Sequence, residues 1–246
     1  MRQSLAIFVI FLSHIWILPA QNHDYHWILG YTPIHNNGTV ILDFNTQPVS
    51  SHTETLHHAY SDFCAICSDS SGQNLLFHSN GIRIFNKNNQ VMANGDSFNI
   101  NPPSIWNAFR ENGYTYAPGH FTLPDPAGGN IYYVFHTGID VWASNDTINY
   151  FNVFSYTVID MNLENGLGRV VKKNQLLFDS LPMIQSTAVK HGNGRDWWIV
   201  TRENYQPIFH VFLLSPNGLE GPYDQTIGPD FVHQCPPRLI SRSARP

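Results

Sequence analysis

The chain has 246 residues, of which 42% are hydrophobic and 13% charged, and its formal net charge is −5. The hydrophobic share is enough for a sizeable core, and the length suits one large domain or two small ones. The charged share is about half of the roughly 25% usual in soluble domains, and without a basic excess nucleic acid and anionic membrane are poor partners.

The first twenty residues read as an export signal. Arg2 supplies the positive end, Leu5 to Leu18 form an apolar stretch broken by Ser13 and His14, and Pro19-Ala20 offers a small residue for cleavage near Ala20. Leu18 in the −3 place makes the cleavage pattern imperfect. The stretch falls short of the roughly 20 apolar residues that span a bilayer, and no later segment is longer. A mature chain without a membrane span, secreted or held at the cell surface, is therefore expected. Next, Trp27 to Gly30 and Val40 to Phe44 are predicted to pair as strands, with Asn36-Asn37-Gly38 as a hairpin signal between them.

One short pattern then recurs. Gly72-Gln73-Asn74-Leu75-Leu76-Phe77 is followed by Gly128-Gly129-Asn130-Ile131-Tyr132-Tyr133 and Gly194-Arg195-Asp196-Trp197-Trp198-Ile199, at intervals of 56 and 66 residues. A repeat of this size marks one supersecondary unit used several times. Each copy sits in the same grammar. A short apolar strand comes first (Phe63 to Cys67, Phe121 to Leu123, Thr187 to Lys190), then a turn, the glycine-led strand, a loop, and a further strand (Ile82 to Phe85, Phe154 to Asp160, Ile208 to Leu214). That is an antiparallel meander. Between the first and second copies, Ser104 to Asn112 reads as a short connecting helix, with Pro102-Pro103 before it and Gly113 to end it.

Several strands are apolar without alternation, among them Ile131-Tyr132-Tyr133-Val134-Phe135, Trp197-Trp198-Ile199-Val200 and Val211-Phe212-Leu213-Leu214. A continuous apolar run implies that both faces of the strand are covered. Helices do this in parallel sheets, but helical segments are lacking here. Stacked blades do it in a β-propeller. The expected fold is all-β, an incomplete β-propeller of three to four antiparallel meander blades over residues 21–221. Residues 222–246, with Arg238, Arg242 and Arg245 crowded near the end, are expected to be an irregular tail of a truncated or frameshifted frame. The open edge of the last blade would then favour self-association.

The ordered strings LLFHSNG, NNQVMANGDSFN, LPDPAGGNIYYVFH, YTVIDMNLENGLGRVVKKNQLL and AVKHGNGRDWWIV, between Trp27 and Gly221, resemble the N-terminal propeller region of secreted, gliding-motility-associated bacterial surface proteins of the type IX-sorted kind. The resemblance implies a propeller-like fold and export. It carries over no catalytic residue, and the sorting domain of that family does not follow Gly221 here.

Candidate chemistry is thin. Cys64-x-x-Cys67 lies in a strand pattern that sends the two thiols to opposite faces, and with Cys235 the count is odd. Thirteen histidines include His78, His136 and His191 at strand ends, where a structural role or a polar ring is the expected use, and neither H-E-x-x-H nor G-x-S-x-G occurs. Asp160 to Gly166 reads as a hairpin turn rather than a calcium loop, because glycine is seventh and Val171 twelfth. Asp43, Asp69, Asp125, Asp160 and Asp196 are the carboxylates a glycoside hydrolase or lyase would draw on, although three of them adjoin the repeat turns. Trp197 and Trp198 are expected to pack on opposite sides of their strand. Trp142, Asn145 and Asp146, in the polar loop Thr137 to Asn152, are the candidate binding residues, since an aromatic ring among Asn, Asp and Thr suits a sugar. Asn37-Gly38-Thr39 and Asn145-Asp146-Thr147 match glycosylation sequons but read as turns in a bacterial chain.

The reading that results is a binding or scaffold module at the bacterial surface. It is not an enzyme, needs no cofactor or metal, and has a glycan or a surface protein as partner. The alternatives are a propeller hydrolase or lyase and a nonfunctional gene fragment.

Overall fold

The computed structural model describes residues 22–29, 38–54, 56, 65–99, 106–107, 109–110, 113, 120–139, 151–178, 183–203 and 206–229. The described chain is all-β and forms four small antiparallel sheets. The first contains β1 (His26–Leu29), β2 (Thr39–Asp43) and β3 (Ser50–Glu54), and the second β4 (Ala65–Ser68), β5 (Leu75–Ser79) and β6 (Ile84–Asn86). The third contains β7 (Phe121–Pro124), β8 (Ile131–Ile139), β9 (Phe151–Asp160) and β10 (Arg169–Phe178). The fourth contains β11 (Met183–Lys190), β12 (Trp197–Glu203), β13 (Ile208–Ser215) and β14 (Gly218–Thr226). In every sheet the strands lie side by side in chain order, which is the meander the repeat grammar predicts.

The recurring glycines mark the same turn three times. Asp69, Asp125 and His191 each accept at their backbone carbonyl from the N–H of Gly72, Gly128 and Gly194, at 2.9, 2.8 and 2.9 Å. Their side chains each accept from the backbone N–H two residues on, Ser71, Ala127 and Asn193, at 3.1, 2.8 and 3.0 Å. The glycines follow at φ +79°, +82° and +73°, left-handed values that glycine adopts freely. The next strand begins three residues later, at Leu75, Ile131 and Trp197. Asp and a δ1-unprotonated His do the same work because each presents a short-range acceptor to the turn.

The sheets stack in sequence, and each contact contains an apolar cluster. Ile28 and Ile41 of the first sheet pack with Phe85 of the second. Ala65, Cys67, Phe77 and Ile84 of the second pack with Tyr132, Val134, Ile159 and Val170 of the third. Phe135 and Phe154 of the third pack with Ile199, Phe212 and Leu214 of the fourth. Each fully buried Phe contributes on the order of 1.5–3 kcal/mol by burial alone. Beside β6, a short segment completes the second sheet: Met92 N–H donates to Ile84 and Ile84 N–H to Gly95, at 2.9 and 3.0 Å.

Three differences from the sequence reading have physical reasons. β3, Ser-Ser-His-Thr-Glu, has no apolar signal because it is an exposed edge strand whose role is to pair with β2. β14 extends to Thr226, five residues into the segment expected to be irregular, because its polar residues pair with β13. The apolar runs of β12 and β13 are not covered on both faces. Ile199, Thr201, His210, Phe212 and Leu214 are buried, whereas Trp198, Val200, Phe209, Val211 and Leu213 stay half-buried. Of the predicted connecting helix only 106–107, 109–110 and 113 are described. There Arg110 N–H donates to Trp106 and Gly113 N–H to Phe109, at 2.9 and 2.8 Å, the spacing of a helical turn.

Candidate functional site

Four groups of polar side chains carry the chemistry of the described residues. The first joins the first two sheets. His26 Nδ1 lies 2.8 Å from Ser68 Oγ, and its Nε2 lies 4.0 Å from an Asp43 oxygen. The order Ser, His, carboxylate resembles a nucleophile with its base. Ser68 is fully buried, however, and Asp43 is held by the backbone and side-chain N–H groups of Asn45 at 2.8 and 2.7 Å. Those two bonds hold the Asp43 carboxyl below its ordinary range. His23 donates from Nδ1 to the Ser68 carbonyl at 2.7 Å, and its buried Nε2 has no hydrogen-bonding partner among the described residues. Burial lowers the His23 pKa, against the raising effect of that carbonyl. The group is a stitch between sheets.

The second group is the set of carboxylates singled out from the sequence, and each is hydrogen-bonded within its own turn. Asp69 accepts from Ser71, Gln73 and Asn74, Asp160 from Asn162, and Asp196 from Arg195 and Asn193. Asp43 and Asp125 are bound to their own turns as described above. Partial burial works to raise the Asp69 pKa, but its hydrogen bonds outweigh this and the net shift is downward. The Arg195 hydrogen bond leads the downward shift of Asp196. Asp160 to Gly166 forms the hairpin connection between β9 and β10, with Glu164 paired to Arg169.

The third group is a carboxylate–imidazole–carboxylate chain across the fourth sheet. His210 on β13 sits 3.0 Å from Glu203 on β12 and 2.7 Å from Asp224 on β14, with its ring 4.4 Å from that of Phe178. The two imidazole nitrogens point in opposite directions. The carboxylates therefore clasp one ring and do not converge on a common point, and no group able to hold a metal forms among the described residues.

The fourth group is the most enclosed. On the face of the third sheet that meets the second, His136 on β8 lies opposite Ser155 on β9. His120, just before β7, lies beside it with ring centroids 6.2 Å apart. His136 Nδ1 donates to Asn99 Oδ1 at 3.1 Å, and its Nε2 accepts from the Thr157 hydroxyl at 3.1 Å. Asn99 Nδ2 donates to the Thr137 carbonyl at 2.7 Å, which fixes the amide orientation. Burial pushes the His120 pKa down to about 4 and that of His136 well below the ordinary value. Thr122 Oγ1, His120 Nδ1 and Ser155 Oγ are shut off from solvent without a hydrogen-bonding partner among the described residues.

Trp142, Asn145 and Asp146 lie outside the described residues. Their loop leaves β8 after Ile139 and re-enters β9 at Phe151, which pair with each other. It thus springs from the end of the third sheet nearer His136 and farther from the repeat turn. The sequence did not disclose His120, Asn99 and Thr157 as partners of His136, because strand register and not local spacing brings them together.

The remaining sequence candidates are structural where described. His78 is buried, its Nε2 2.9 Å from Asn89 Oδ1 and its ring stacked on Phe85. Trp197 faces the core between the third and fourth sheets, with the Lys190 ammonium 4.0 Å from its ring centre. Trp198 points the other way and meets His191. Cys64 and Cys235 are outside the described residues, whereas Cys67 is buried and burial raises its pKa well above the ordinary value. Iodoacetamide is accordingly expected to leave Cys67 unmodified in the folded chain and to alkylate it in urea, read from the mass of the peptide that contains it.

Comparison with known proteins gives no match to this chain, whether to a family model, to a curated protein or to a solved structure.

Proposed function

We propose that the chain is an exported binding or scaffold module at the bacterial cell surface, its sheets the blades of an incomplete propeller, with a glycan or a surface protein as ligand. The observation that carries this reading is the threefold repetition of one self-bonded turn on stacked sheets, at Asp69, Asp125 and His191. Such turns are rigid, and rigid frames present loops for recognition. The loop over residues 140–150, with Trp142, Asn145 and Asp146, is the recognition element of the proposal. Commitment of the five candidate aspartates to their own turns favours binding over glycoside hydrolysis, which needs an acid and a base converging about 5 to 10 Å apart.

A glycan array, followed by titration calorimetry with the best-bound glycan, tests the reading. Saturable binding without release of reducing ends is expected. Trp142→Ala should weaken it about tenfold or more while the melting temperature stays unchanged. Release of reducing sugar in proportion to protein concentration would overturn the proposal in favour of a hydrolase.

A further inference from the structure

We propose that two copies of this chain associate head to tail, the open face of the first sheet in one copy seating on the open face of the fourth sheet in the next. The proposal does not depend on the glycan reading. It starts from the three sheet–sheet contacts inside the chain, each of which contains an apolar cluster drawn from both sheets. Among the described residues, both ends of that row carry an apolar face without a covering sheet.

At the first sheet, strand register places Trp27 opposite Leu42 and Leu29 opposite Val40, with Ser51 and Thr53 continuing those two rows on β3. None of the six is charged. Trp27 is 49% exposed and Leu29 51%. The Trp27 indole is held in place, since Nε1 donates to the Asp24 carbonyl at 3.0 Å and the ring lies 5.0 Å from that of Phe44. A large ring already fixed in its rotamer loses little freedom on binding, which suits an interface anchor.

At the fourth sheet, Val189, Trp198 and Leu213 form one row, and Thr187, Val200, Val211 and Tyr223 the next. Val189 is 58% exposed and Tyr223 47%. Glu220 and Arg202, opposite Leu213 and Phe209, put charge at the margins of this face and none at its centre. The apolar runs of β12 and β13 are suited to cover on both faces, and the described residues cover one. A stack of repeats that ends in water normally ends on a polar surface, and neither end here does.

The occupant is a second copy because each open face continues an interface this chain already makes. Sheet on sheet is the packing of all three internal contacts, and the uncharged first face suits the apolar centre of the fourth. The outer edge is a poorer route: β14 carries Glu220, Pro222 and Asp224 and a register shift against β13, features that blunt edge pairing. Because the two faces differ, the contact is heterologous and leaves one face of each kind free at the ends of a dimer.

Sedimentation velocity of the full chain over a wide concentration range tests this. Mass should rise with concentration, and Trp27→Glu and Val189→Glu should each weaken association about tenfold or more. The two variants mixed should give dimers and nothing larger, because the mixture offers only one intact pair of faces. Trp27→Ser and Val189→Thr repeat the test with milder changes, and melting curves confirm that each variant folds. A chain that stays monomeric throughout, or any of these variants that associates alone as strongly as the parent, would overturn the proposal.

Discussion

Alanine at Gly72 is expected to destabilise the chain by roughly 1–3 kcal/mol more than alanine at Gly128 or Gly194, the excess being the cost of overpacking. All three glycines hold nearly the same left-handed conformation, at φ +79°, +82° and +73°. They therefore share a backbone cost of roughly 1–2 kcal/mol for any residue with a Cβ. Their surroundings differ. A Cβ on Gly72 would lie 2.8 Å from both Asn22 Cβ and Tyr25 Cγ, whereas among the described residues nothing stands within 4 Å at Gly128 or Gly194. The N-terminal segment is tied to this turn, since Asn22 N–H donates to Ser70 at 3.2 Å and its side-chain amide to Ser71 at 3.3 Å. Asparagine tolerates the left-handed region better than alanine does, so Gly128→Asn and Gly194→Asn should recover part of the loss, and Gly72→Asn should not. Urea unfolding of the six variants measures this. Equal losses for alanine at all three sites would show that segment 22–25 does not pack on the first turn.

Stability is expected to fall as pH drops from about 6.5 toward 4, before the bound carboxylates begin to titrate. Burial depresses the His120 pKa to about 4, depresses that of His136 well below its ordinary 6.5, and lowers that of His23. In that window the unfolded chain binds protons that the folded chain refuses, so unfolding gains free energy as acid is added. Each such histidine contributes a slope of at most about 1.4 kcal/mol per pH unit. His120 is only half-buried as a residue, yet its Nδ1 is cut off from water, and that enclosure is what opposes the charge. Asp43, Asp69 and Asp196 are shifted downward. Their contribution is complete above their ordinary value near 3.8 and is lost only as pH falls through the lower folded values. The two effects separate along the pH axis. His120→Gln should flatten the stability profile between pH 6.5 and 4 and leave the steeper acid limb below it. Urea midpoints at half-unit steps of pH measure this, and an unchanged slope would show that His120 already takes up a proton in the folded state.

The buried network explains why these histidines stay neutral. A neutral imidazole has one donor and one acceptor, and His136 uses both, donating to Asn99 and accepting from Thr157. Thr157 in turn accepts from the Asn174 N–H at 3.0 Å. A proton on His136 would place a charge in a fully enclosed site with the His120 ring beside it, and burial above all opposes that charge. His210 is built the other way, with a carboxylate at each nitrogen. The same residue type thus serves opposite ends, as a neutral core link in the third sheet and as a clasp between strands in the fourth.

The repeat turns are legible in the sequence, because a turn is a local object. Gly72, Gly128 and Gly194 were located by their recurrence, and Asp69 and Asp125 as turn residues beside them, whereas the third turn is closed by His191 and not by Asp196. The apolar strands that follow each glycine were readable for the same reason: β-branched and aromatic runs bounded by turns have few other uses. β3 and β14 were not readable. Polar edge strands are held by pairing with a neighbour, and that preference is not written in their own residues. The partners of His136 were equally hidden, since Asn99 is 37 residues away in the chain and Thr157 is 21, and only register and stacking bring them to one ring. By itself the sequence determined an all-β chain of repeated hairpins with tight, self-bonded turns. Only the tertiary structure decided which apolar faces are covered. That outcome depends on having a neighbouring sheet, so equally apolar runs are buried on both sides in β8 and only on one in β12.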